Sequence, residues 1–214
     1  DPTYCTITGD TTGNQLHADP DLFYLADNGG FTPTHAPGPS SCALDHIPNG
    51  TNGCGGAFRS DQRGEPRPGG AACDVGAFEL QADESIGQGS NFIEGQTVAF
   101  ALQLAAVKRN VGSDDPGTVV VNRQTAAPDY RADYRPIPAL WHLTASGDSY
   151  DLDLGLCYTD DEASGLDETA LDIYRWDAAQ GVWVNKDGTL DAADNCITAT
   201  GVTSFSTWML AALR

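Results

Sequence analysis

Ser60-Asp61-Gln62-Arg63-Gly64-Glu65-Pro66-Arg67-Pro68-Gly69-Gly70-Ala71-Ala72-Cys73-Asp74-Val75-Gly76-Ala77-Phe78-Glu79 is the stretch that divides this chain. It opens with charges and turn residues, and its Pro/Gly tract cannot be helix. It closes on an alternating run, residues 74–80, that reads as a short strand. Val75 and Ala77 take one side of that strand, and Asp74, Gly76 and Phe78 the other. Upstream, short extended pieces alternate with polar turns. Downstream, period-two patterns become regular. The stretch therefore reads as a seam between two β regions, residues 1–80 and 91–214, joined by a polar, Gly-containing linker at residues 81–90.

In the first region, residues 3–8 have β composition and stop at Gly9-Asp10, and residues 15–20 form another extended piece. Leu22, Phe23, Tyr24 and Leu25 make an apolar cluster ahead of Asp27-Asn28-Gly29-Gly30. Residues 32–70 are rich in Pro, Gly, Ser and Asn and too long for a turn, and Cys42, Cys54 and Cys73 mark them as stapled. In the second region Val98, Phe100, Leu102 and Leu104 read as one face of a strand, and Tyr150, Leu152, Leu154 and Leu156 as one face of another. Further strands are expected at 119–121, 140–143, 171–176, 182–184, 197–199 and 205–210. Short strands spaced by turn signals predict an antiparallel, Ig-like β-sandwich. Residues 160–171 read as a loop or a single helical turn.

The formal net charge of -19 over 214 residues argues against nucleic acid or anionic lipid as partner, since both require clustered Lys and Arg. Both regions are acidic, as suits a soluble exported protein. Six cysteines without a CxxC pair suggest disulfides and an oxidising compartment rather than zinc. No apolar run is long enough to span a bilayer, and these residues read without a cleavable signal peptide among them. Asp1-Pro2 runs straight into a strand-like segment, so the chain reads as entered in mid-fold, as the C-terminal part of a longer exported polypeptide.

Alternation places the Cys157 side chain opposite the Tyr150/Leu152/Leu154/Leu156 face, and Cys196 likewise opposes Ile197 and Ala199. Both thiols then lie on the outer side of adjacent strands, which predicts a Cys157–Cys196 bond. Cys54 and Cys73 flank the Asp61/Arg63 loop and would close it, leaving Cys5 with Cys42. Six thiols allow fifteen connectivities, of which this is one.

Asp61 and Arg63 read as a structural pair that holds their loop. Arg59, Arg63 and Arg67 could instead serve a polysaccharide-lyase reaction, but they sit in a Pro/Gly loop. His17, His35, His46 and His142 are scattered, and no GxSxG or comparable nucleophile signature accompanies them, so no catalytic residue is assigned. Asp160, Asp161, Glu162 and Asp167 are weak Ca²⁺ candidates, as are Asp151/Asp153 and Asp187/Asp191/Asp194. None has EF-hand spacing, so solvated turn carboxylates are the default and no cofactor is required. Trp141, Trp176, Trp183 and Trp208 fit the sandwich core, although Trp176 and Trp183, close to a hairpin, could offer rings to a sugar. Asn49-Gly50-Thr51 matches the glycosylation sequon.

Three ordered motifs carry a resemblance over roughly the first eighty residues: Leu-Ala-Asp-Asn-Gly-Gly-Phe-Thr-Pro-Thr-His-Ala at 25–36, Asp-Gln-Arg-Gly at 61–64 and Cys-Asp-Val-Gly-Ala-Phe-Glu at 73–79. Together they resemble the C-terminal end of bacterial right-handed parallel β-helix proteins of the choice-of-anchor or polymorphic outer-membrane-protein type. The resemblance implies terminal coils and a capping loop in residues 1–80, with further coils upstream. Leu22 to Leu25 would then cover the open end of the apolar column. Gly165-Leu166-Asp167-Glu168, Leu-Asp-Ile-Tyr-Arg-Trp-Asp at 171–177 and Gly-Val-Thr-Ser-Phe-Ser-Thr-Trp at 201–208 resemble a C-terminal sandwich module of bacterial surface and secreted proteins. The implied function is a non-enzymatic structural or adhesion module, extracellular or at the cell surface. Its expected partners are upstream coils or another chain at the N-terminal end, with self-assembly or surface glycans beyond them. Two other functions are consistent with the pattern: a subunit of an extracellular filament or envelope assembly, and a carbohydrate-binding or lyase accessory module.

Overall fold

The computed structural model describes residues 19–125 and 133–213. Cys5, His17 and the extended piece at 3–8 lie outside the described residues, as does most of that at 15–20. The strands are β1 (Glu84–Gly89), β2 (Thr97–Phe100), β3 (Ala105–Arg109), β4 (Val119–Gln124), β5 (Tyr134–Pro136) and β6 (Leu140–Ala145). They continue with β7 (Leu152–Cys157), β8 (Leu171–Asp177), β9 (Val182–Asn185), β10 (Thr189–Asp191), β11 (Cys196–Val202) and β12 (Thr207–Leu213). No α-helix occurs among the described residues, and the segment read as a loop or helical turn holds hydrogen-bonded turns at 160–165 and a 3-10 turn at Glu168–Ala170, capped by Asp167.

Two antiparallel sheets face one another. The larger runs β1-β4-β6-β12-β8-β9, with β5 also on β12, and the smaller runs β10-β11-β7-β3-β2. β7 shows why: Leu152, Leu154 and Leu156 are buried, while Asp153, Gly155 and Cys157 between them are half-buried. Between the sheets those leucines meet Trp141, Trp208 and Ile173, all without solvent exposure. Each such side chain contributes about 1.5–3 kcal/mol by leaving water.

The outer face of the larger sheet has two halves. Over β12, β8 and β9 it carries a small cluster of Tyr174, Met209 and Ala211, flanked by Tyr134, Leu140 and Trp183. Over β1, β4 and β6 it is covered by residues 19–80, here called the arm. Backbone N–H groups of the arm reach across: Tyr24 donates to Gln88 Oε1 at 2.6 Å and Asp27 to Thr144 Oγ1 at 2.9 Å.

Two expectations are corrected. The linker at 81–90 is largely strand: β1 pairs with β4 from Glu84↔Gln124 to Gly89↔Val119. Its glycines are there for lack of room, since a Cβ on Gly87 would sit 2.3 Å from Gln103 Oε1 and one on Gly89 3.0 Å from Phe100 Cζ. That close packing hid the strand, because glycine carries no hydrophobic period. The run Val98 to Leu104 is not one strand but β2, a 3-10 turn at Ala101–Gln103, and a reversal into β3 through Leu104 at φ 48°. Leu102, expected inside, is 79% exposed at that turn. Among the described residues the arm adds no strand to either sheet and makes isolated bridges, antiparallel at Leu22↔Pro37, Ala26↔Thr34, Ile47↔Cys73 and Ser60↔Pro66 and parallel at Cys54↔Phe58.

Candidate functional site: a buried ionic clamp

Turns and isolated bridges satisfy part of the arm's backbone, and buried side chains take up many of the groups that remain. Asp61 serves four donors. Its Oδ1 accepts from the N–H of Arg63 (2.7 Å) and Glu65 (3.0 Å), and its Oδ2 from Arg63 Nε (2.9 Å) and the Glu79 N–H (3.0 Å). Arg63 in turn uses every N–H it has. Nη1 donates to Asn28 O at 3.2 Å and Glu84 Oε1 at 2.5 Å, and Nη2 to Glu79 O at 2.7 Å and Glu84 Oε2 at 3.2 Å. The ring of Phe78 lies 3.6 Å beneath the guanidinium carbon. Gly30 is required here because a Cβ would stand 2.7 Å from Arg63 Cα.

Glu84 belongs to β1, so this cluster ties the arm to the sandwich. Besides Arg63 it accepts from Asn122 Nδ2 (2.6 Å) on β4, Gln124 Nε2 (3.1 Å) and the Gln81 N–H (3.3 Å). The side chains of Arg63, Asp61 and Glu84 are at most 1% exposed. Burial penalises the Arg63 charge, but the bonds and fields of Glu84 and then Asp61 outweigh it and raise the Arg63 pKa above its ordinary value.

A second cluster adjoins the first. Arg67 Nε pairs with Glu79 Oε2 at 2.9 Å, Nη1 donates to Gly76 O at 3.1 Å, and Nη2 donates to Asp74 O. Glu79 accepts from the N–H groups of Gly69 and Asp74, and Asp74 from those of Asp45 and Leu80. Burial pushes the Asp74 carboxyl up, against the pull of the Leu80 and Asp45 N–H groups. The strand expected at 74–80 is therefore absent for a definite reason. The carbonyls of Asp74, Gly76 and Glu79 and the N–H groups of Asp74, Glu79 and Leu80 are taken by side chains, beside single backbone bonds from the Val75 N–H to Ala43 O and from the Gln62 N–H to Ala77 O.

The structure thus places Asp61 and Arg63 together, as their spacing suggests, but as part of a buried network rather than a surface pair. Glu84, Glu79, Asp74, Asn28 and Asn122 escaped sequence reasoning. The seam motif itself contains Asp74 and Glu79 and was the available signal. Glu84 carried none, because its strand was read as linker.

Disulfides join Cys54 to Cys73 and Cys157 to Cys196. The second links residues directly opposite one another on β7 and β11. Cys42 lies in the arm, and its expected partner Cys5 is outside the described residues. Of the Ca²⁺ candidates, Asp160 accepts from Asn195 Nδ2, Glu162 pairs with Arg123, Asp167 caps Thr169, and Asp161 is exposed. Among the described residues no group of three His, Cys, Asp or Glu side chains is placed to share a metal.

His35 Nδ1 lies 2.8 Å from Phe23 O, within the arm, and His46 is exposed. His142 is buried, with Nδ1 3.0 Å from Thr207 Oγ1. Trp141 and Trp208 are in the core, whereas Trp176 and Trp183 are half-buried and meet edge to face at 5.3 Å across β8 and β9. The sequon at Asn49 lies in an exposed turn where Thr51 Oγ1 donates to Pro48 O.

Two of the clefts formed by the described residues open on the arm. One, of about 210 Å³, is lined by Ile47, Phe58, Arg67 and the Cys54–Cys73 bond. The other, of about 240 Å³, is lined by Leu22, Leu25, Pro33, Pro37, Val75 and Phe78. Its rim is apolar and open, with Leu22 49%, Leu25 44% and Val75 47% exposed. No family model matches the chain, and no curated protein or solved structure matches it.

Proposed function

We propose that this chain is a non-enzymatic, extracellular structural or adhesion module, the C-terminal part of a larger exported β-helix protein. In this reading the arm is the terminal cap, and the sandwich is the base on which it is held. The supporting observation is the apolar cleft bounded by Leu22, Leu25 and Val75, in a chain of formal net charge -19. Exposed apolar side chains gathered around one groove mark a surface for another polypeptide. Two disulfides fit an oxidising compartment, and no helix among the described residues is long and apolar enough to cross a membrane. The arginines that a lyase would use support the same reading. Arg63 and Arg67 are spent on Asp61, Glu84, Glu79 and backbone carbonyls, and Arg59 Nε on Gly56 O.

The cleft can take a preceding coil or a second chain, and the second case is the assembly-subunit reading. Light scattering over a concentration series, paired with uptake of an apolar dye, tests both. Dye binding that is lost in a Leu22→Ser/Leu25→Ser/Val75→Ser variant supports the docking surface, and association lost in the same variant selects the assembly. A wild-type protein that neither associates nor takes up dye, or that degrades a polysaccharide, overturns the proposal.

A further inference from the structure

The turn that seats the arm on the sandwich rests on a histidine. Gly29 packs against the His142 ring, and a Cβ at Gly29 would stand 3.7 Å from Nε2 and 3.8 Å from Cε1. The other nitrogen, Nδ1, meets Thr207 Oγ1 on β12. Just before Gly29 the arm is bound to the sheet, by the Asp27 N–H to Thr144 Oγ1 and by Asn122 Nδ2 to Asn28 O. The ring therefore lies in the joint itself, between β6 and the turn at residues 27–30.

We propose that this joint is an acid-sensitive latch, in which protonation of His142 releases the arm from the outer face of the larger sheet. The proton adds to whichever ring nitrogen is unprotonated, so the imidazolium carries a donor on each side. One of these donors faces the Gly29 turn, and the new charge has no bulk water around it while the arm is seated. Burial and three charged groups decide the outcome. Burial acts first and lowers the His142 pKa, the Asp27 and Glu84 carboxylates pull it up, and the Arg63 guanidinium pulls it down again. Burial prevails because Glu84 is already engaged by Arg63 and Asp27 is exposed. A histidine with a depressed pKa when docked binds its proton more readily when released. The docked state thus loses stability as pH falls through the ordinary histidine range, about 6.5. Among the described residues the core cluster between the sheets contains no histidine or carboxylate, so the sandwich is expected to stay folded while the arm opens. The latch does not depend on what fills the Leu22/Val75 cleft.

Hydrogen exchange of the intact chain tests this, read at the Asp27 amide, whose bond crosses the joint to β6, and at the Tyr24 amide, whose bond ties the arm to β1. Corrected for intrinsic rate, their exchange should accelerate on the order of tenfold between about pH 7.5 and about pH 5, while amides of β7 and β11 keep their protection. His142→Gln retains a partner for Thr207 and cannot be charged, so the step should vanish in it. The same step in wild type and variant, or its absence in wild type, overturns the latch. If the variant does not fold, the wild-type His142 ring followed by NMR decides. Ring protonation coinciding with arm opening supports the latch, and opening with the ring still neutral, or protonation without opening, sinks it.

Discussion

The arm and the sandwich bury their chains by opposite means. In the sandwich, ladders absorb the backbone and the interior is Leu, Val, Ile and Trp. In the arm, buried apolar side chains other than Phe78 are small, chiefly Ala26, Ala36, Ala43 and the Cys54–Cys73 pair. Its interior is instead Asn28, Asp61, Arg63, Asp74 and Glu79. A β-sandwich tolerates the loss of one hydrogen bond because its stability is spread over many apolar contacts. A loop region built on a few charged hubs does not, since each hub holds several backbone groups at once.

The sharpest way to break this contrast is Arg63→Ala. It strands the Asp61 and Glu84 carboxylates in a buried site and should cost about 3–5 kcal/mol, read by denaturant unfolding. The loss should appear first as rapid exchange at arm amides. A loss below about 1 kcal/mol would show that water already reaches the cluster. Removing the Cys157–Cys196 bond frees a separation of 39 residues and should cost about 4 kcal/mol in the chain-entropy account. That loss should fall on the sandwich. Removing Cys54–Cys73, with a separation of 19, should cost about 3 kcal/mol and loosen the arm alone, as limited proteolysis around residues 47–73 would show. Equal effects of both removals on the arm would mean that the two regions unfold as one. The smallest change is expected at Lys108→Ala, whose partner Asp153 is 3.2 Å away on an accessible face of the sandwich. That pair should contribute under about 1 kcal/mol, with a negligible shift in melting temperature.

Both regions show what can be read from residue order. Period two in Leu152, Leu154 and Leu156 named a buried face and, through it, the outward pair Cys157 and Cys196. The same rule misread Val98 to Leu104, where apolar residues kept alternating through a turn that no Gly or Pro announced. It also passed over β1, whose glycines answer to Phe100 and Gln103 on other elements.

Order in the sequence alone settled the all-β character, the alternating faces and the nearness of Asp61 to Arg63, because each depends on residues a few positions apart. It was tertiary structure that turned residues 74–80 from strand into clamp and brought Glu84 to Arg63. Tertiary structure also buried His142 under the Gly29 turn. A buried charge chooses its partners by proximity in space, and in this chain they come from Asn28, Glu79, Glu84 and Asn122, positions whose spacing along the chain carries no period.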